Sequence, residues 1–199
     1  MILSYLILAH LLGDFVLQPS SLVQWKMKSM KGNFVHVLIH FIVSNLILMP
    51  FILNGYEWLV LVILCISFAH FWIDEAKINY DLKHDIKVKP FLIDQMLHLL
   101  TILVAYFFIN ETAWTLPNTS FYQLYTNANI INFASLLVFI TSAVDVYLFQ
   151  KQREKTKKAK LKLKHPINSL LNRIITFSFL YALLMVLSYY ASNHAEIIF

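Results

Sequence analysis

Histidine and aspartate recur in this chain at one fixed interval. His10 is followed by Asp14, His36 by His40, His70 by Asp74 and Asp94 by His98, each pair set in a hydrophobic run. On an α-helix a spacing of four brings two side chains onto one face, one turn apart. Helical bundles offer paired ligands to a metal in this way. Imidazole with carboxylate suits zinc, manganese or iron, and no cysteine belongs to any pair, so a thiolate site is excluded. Eight donors exceed the four of a tetrahedral ion. One or two divalent transition-metal ions, bridged by an aspartate in the second case, would use them, with any surplus orienting the ligands through hydrogen bonds.

The elements that must position these pairs are membrane helices. Of 199 residues 59% are hydrophobic and 15% aromatic, with three glycines, a composition that soluble domains of this size rarely sustain. Apolar runs long enough to span a bilayer lie at about residues 2–17, 34–53, 57–76, 91–109, 130–149 and 169–191. They predict an all-α, multi-pass transmembrane helix bundle of about six spans. The first run has no basic segment before it and is interrupted by His10 and Asp14, so it is expected to stay as a span and not to be cleaved as a signal peptide. The chain reads as a single transmembrane domain. Residues 1–105 form its four-helix metal-site core, and residues 106–199 supply two further spans with a basic cytosolic loop.

Basic residues set the expected orientation through the positive-inside bias. Lys26, Lys28 and Lys31 follow the first run; Lys77, Lys83, Lys87 and Lys89 follow the third; Lys151 to Lys164 follow the fifth, and Arg173 begins the sixth. Residues 54–56 and 110–129 contain no Lys or Arg. Both termini are therefore expected outside, with three basic loops in the cytosol. This topology accounts for the net charge of +5 with no nucleic-acid partner. The expected partners are membrane lipids, with the basic loops also open to a soluble cytosolic protein.

Local signals refine the elements. Pro19 ends the first helix, Ser20 or Ser21 caps a short interfacial segment, Asn33 caps the second span, and Pro90 suits the first turn of the fourth. Lone Cys65 is read as packing. Residues 110–129, with Trp114, Phe121, Tyr122 and Tyr125, read as a chain lying at the outer interface.

On this topology all four pairs fall in the cytosolic half of the spans. An aspartate at a helix centre costs about 2.5 to 3.5 kcal/mol, so eight such residues need shared partners. Asp14 and Asp94 are the candidate general bases. Gln18 continues the stripe of His10 and Asp14, and Lys77 that of His70, so both are candidate contacts for a phosphate or acyl carbonyl. Gln95, Asp145 and Arg173 are secondary candidates; mutual neutralisation is the simpler reading of the last two.

The string from Ala9 to Gln18, the His36/His40 pair, His70 to Asp74 and Phe91 to His98 together resemble the bacterial membrane family catalogued as domain of unknown function 3307, over roughly residues 3 to 105. The resemblance implies a bacterial cytoplasmic membrane location and brings no established activity. In organisation the family is similar to small inner-membrane proteins thought to be metal-dependent hydrolases. The leading expectation is thus a metal-dependent hydrolase acting at the cytosolic leaflet on a lipid-like or membrane-associated substrate. A divalent-metal transporter is the first alternative, and a di-iron oxygenase of lipid chains the second.

Overall fold

All regular elements among the described residues are helical. The computed structural model describes residues 1–109, 116–156 and 167–194. Trp114 of the outer segment and the lysines from Lys157 to Lys164 lie outside the described residues. Two units divide the chain, Met1–Leu163 and Lys164–Phe199.

In the first unit, α1 (Ile2–Leu11) runs on into a π-helical turn, Leu12–Val16. There follow α2 (Ser20–Lys26), α3 (Met30–Ile52), α4 (Leu59–Lys83), α5 (Val88–Phe107), α6 (Ser120–Tyr125) and α7 (Ala128–Val138). A second π-helical turn (Phe139–Ala143) joins α7 to α8 (Val144–Thr156). In the second unit the described helix is α9 (Ile167–His194), whose stretch Leu171–Leu187 is apolar.

Helices α3, α4, α5 and the continuous segment Ala128–Thr156 are each long and apolar enough to cross a membrane. The first apolar run behaves differently. Its ten α-helical and five π-helical residues reach about 22 Å at 1.5 Å per residue, short of a hydrocarbon core of roughly 30 Å. At Pro19, which has no N–H to donate, the chain bends by 92° into α2. The described helices therefore offer four candidate spans, or five with the bent pair; six are expected from the sequence. Three local expectations also change. Pro19, not a serine, stands at the N-cap of α2. Ser29 caps α3, its hydroxyl accepting from the Gly32 N–H at 3.2 Å, which leaves Asn33 inside the helix. Cys65 is exposed on α4. Pro90 does occupy the first turn of α5.

Helices α1, α3, α4 and α5 pack as a ring, each against its neighbours. At one end of this ring the core is apolar: Ile2, Tyr5 and Leu6 of α1 meet Leu48 and Phe51 of α3, Leu59 and Ile63 of α4, Ile102 of α5 and Ile131 of α7. Tyr125 of α6 closes that end, its hydroxyl donating to the Ile47 carbonyl at 2.6 Å while its own carbonyl accepts from Tyr5. Burial holds the Tyr125 phenol far above its usual range, so it stays a neutral donor. At the other end the interior is polar, and the outer surface is the reverse. Phe107, Met96, Phe68 and Phe34 are all more than half exposed. In a bilayer, lipid would solvate such side chains as well as a core does, and helix association would then rest on packing and interhelical hydrogen bonds.

Candidate metal centre

Each of the eight paired residues is carried to the polar end of the ring by the chain's alternation. His10 lies at the end of α1, His36 and His40 in the first half of α3, His70 and Asp74 at and just past the middle of α4, and Asp94 and His98 between the first turns and the middle of α5. Seven of them are at most 5% exposed. Asp14, in the π-helical turn, has a side chain 8% exposed. The expected α-helical register is thus locally widened at Asp14, and π-turns of this kind recur at functional sites.

Asp14 is the hub. Its Oδ1 lies 3.0 Å from Nε2 of His40, 3.2 Å from Nε2 of His36 and 3.8 Å from Nε2 of His70. Nε2 of His36 and Nε2 of His70 are 3.2 Å apart. Donors bound at about 2.0 to 2.1 Å to one tetrahedral zinc ion stand about 3.4 Å from each other. The separations among Asp14, His36, His40 and His70 given above bracket that value, and all four donors lie within 4.8 Å of one another, close enough to gather round one ion. The other oxygen, Oδ2, faces Nε2 of His10 at 3.7 Å. His10, Asp14 and His98 form a second grouping, and His70, Asp74 and His98 a third, each with ligand atoms within 4.8 Å of one another.

Two members of the cluster carry buried polar atoms with no hydrogen-bond partner. Both ring nitrogens of His98 and Oδ1 of Asp94 are unpartnered among the described residues, with His98 Nδ1 and Asp94 Oδ1 3.9 Å apart. A buried polar group left so costs about 1 to 3 kcal/mol, and a coordinated ion is one way to recover it.

A cavity of ≈ 20 Å³ adjoins the cluster, lined by His10, His40, His70 and His98 together with Ser44, Ser67 and Thr101. It has room for about one water molecule. Each of these hydroxyl residues lies one turn from a histidine, toward the apolar end of its helix.

The chain's family is decided by residues 2–126, which match the model described as "Protein of unknown function (DUF3307)". The chain belongs to the DUF3307 family. No curated protein and no solved structure matches it. The family model spans the whole ring of α1, α3, α4 and α5 and reaches α6, so every paired residue of this DUF3307 protein falls inside it.

The remaining sequence candidates are placed as follows. Gln95 links three cluster members: its amide N–H donates to Asp14 Oδ2 at 2.9 Å and to Asp94 Oδ2 at 3.2 Å, and its carbonyl accepts from His10 at 3.3 Å. Gln18 contacts the cluster, its amide N–H donating to Nδ1 of His36 at 2.9 Å. Lys77 pairs with Asp94, its Nζ 3.4 Å from Oδ2, and lies 5.7 Å over the Phe91 ring. Asp145 is half-buried in the first turn of α8 and outside the three groupings, and Arg173 stands on α9 in the second unit.

Two residues of this DUF3307 protein were not among the candidates. Lys26, expected at the interface, is buried by the 92° bend and donates to Asp74 Oδ2 at 2.8 Å. Gly13 packs directly against the His40 ring. Its place beside Asp14 was a weak signal, whereas Lys26 lies on a separate helix and gave none.

Proposed function

We propose that this protein is an integral membrane metalloprotein, a metal-dependent hydrolase acting at the cytosolic leaflet on a lipid-like or membrane-associated substrate. The observation that carries this reading is the position of Asp14 between two histidine sets, Oδ1 facing His36, His40 and His70 and Oδ2 facing His10. A carboxylate placed so can bridge two ions. His36, His40 and His70 would share the first with it; His10 and His98 would share the second, with Asp74 completing the set and Asp94 beside it. Divalent zinc, manganese or iron in such a site supplies Lewis-acid activation of water and polarises the scissile group.

The protein's own groups divide the other tasks. Asp14 is crowded by four imidazoles and Gln95, so it serves as ligand. Asp94, with an oxygen left unpartnered, is the better general base. Gln95 holds both carboxylates in register. Gln18 fixes the His36 ring and can turn its carbonyl to Nδ1–H when Nε2 is a ligand.

The apolar core at the far end of the ring weighs against a carrier open to both sides. Metal content of protein purified without chelator, measured by mass spectrometry, tests the reading. About two ions per chain are expected for a dinuclear site, with loss in a His40→Ala, Asp74→Ala double variant. Loaded protein should then cleave a phosphoester, ester or amide. Metal uptake by proteoliposomes without any such turnover would replace hydrolysis by transport, and iron-specific oxygen consumption would replace it by oxygenation.

A further inference from the structure

Two ammonium groups reach the cluster from different elements. Lys26, on α2, has a side chain 9% exposed and donates to Asp74 Oδ2; Lys77, on α4, is 19% exposed and pairs with Asp94 Oδ2. An ammonium has three N–H donors. For Lys26 a single hydrogen-bond acceptor, Asp74, is found among the described residues. The pairs are costly to bury unless both charges remain compensated.

The charge balance of the paired residues and these two lysines sets what is missing. Histidines that ligate a metal are neutral, so Asp14, Asp74 and Asp94 against Lys26 and Lys77 leave one negative charge. One divalent ion makes the site singly positive, and two make it triply positive. Excess positive charge in a water-poor interior calls for an anion. Asp14, Asp74 and Asp94 cannot meet this need, because their three charges are already in this count.

We propose that Lys26 and Lys77 bind a tetrahedral oxyanion of the phosphate type beside the metal centre, and that the substrate of this site carries such a group. The inference rests on the metal reading of the cluster and narrows its substrate class. A phosphate group presents several acceptor oxygens to ammonium donors and metal at once. The same chemistry is offered by a lipid headgroup and by a soluble phosphoester.

Calorimetric titration of metal-loaded protein with inorganic phosphate tests it, after metal content has been measured for each sample. The expected result is phosphate binding by the parent, at least tenfold weaker in Lys26→Met and in Lys77→Met, with parent metal content in both. Lys26→Arg and Lys77→Arg should recover most of the affinity. Addition of phosphatidylcholine vesicles with and without phosphatidic acid separates the sources: competition only by the phosphatidate vesicles assigns a lipid headgroup, and no competition assigns a soluble phosphoester. A metal-loaded parent that ignores phosphate overturns this inference alone. Unchanged binding in both methionine variants, or loss of metal from them, also overturns it. A parent without metal sinks the proposed function first.

Discussion

Gly13 lies so close beneath the imidazole of His40 that a methyl group on its Cα would come within 2.4 Å of the ring. The ring, not the backbone, would have to move, and it is one of the four donors gathered at Asp14. Gly13→Ala is therefore expected to weaken metal binding by about 10- to 100-fold, as changes that misorient a ligand do. Alanine favours a helix over glycine by roughly 0.5 to 1 kcal/mol, so the variant should remain folded. A competition titration with a chromophoric chelator gives the affinity, and parent-like affinity would remove Gly13 from the machinery.

The two aspartates flanking Gln95 should separate by phenotype. Asp14→Asn removes the bridging charge and is expected to lower bound metal to one ion or fewer, read by mass spectrometry. Asp94→Asn should keep most of the metal and lower kcat by about 10²- to 10⁴-fold, the usual worth of a general base. If the two variants lost metal equally, Asp94 would be a ligand only.

Asn33 offers a contrast, because it is fully buried yet outside the donor set. Its amide donates to the Phe71 carbonyl at 3.1 Å and to Glu75 Oε1 at 2.9 Å, tying α3 to α4. Asn33→Ala is expected to destabilise the protein by about 1 kcal/mol, in line with interhelical hydrogen bonds in membranes, with a lower Tm in detergent and unchanged metal content. Loss of metal in this variant would show that the α3–α4 crossing sets the site.

Orientation has its own test. His84 is exposed just after α4, and the positive-inside bias of the lysines predicts a cytosolic side for it. In a Cys65→Ser background, His84→Cys should resist a membrane-impermeant maleimide applied to intact cells and react once the cells are opened. Labelling in intact cells would invert the topology.

The pairs were legible because a helix repeats about every 3.6 residues, so a spacing of four survives as a pattern in the sequence whatever the tertiary fold. The convergence of His10, His36, His70 and His98 follows from the same pattern, since alternating helices carry their pairs to one end. What could not be read was set by tertiary geometry. The bend at Pro19 carries Lys26 back onto Asp74, forty-eight residues away, and no local period records such a contact. The π-helical turn around Asp14 is likewise invisible to an α-helical period. Ser44, Ser67 and Thr101 lie at helical spacing from His40, His70 and His98, so the cavity lining was written in the sequence but not distinguishable there from ordinary span residues.

The lysine pairs also bear on how the protein is made. Small zinc domains are unfolded until their metal arrives, because nothing else compensates their ligands. Here Lys26 and Lys77 give Asp74 and Asp94 a cationic partner from within the chain itself. On the proposed metal reading, assembly of the helices would not have to wait for the cell's metal supply, and the finished protein would be open to loading, stripping and reloading as that supply varies.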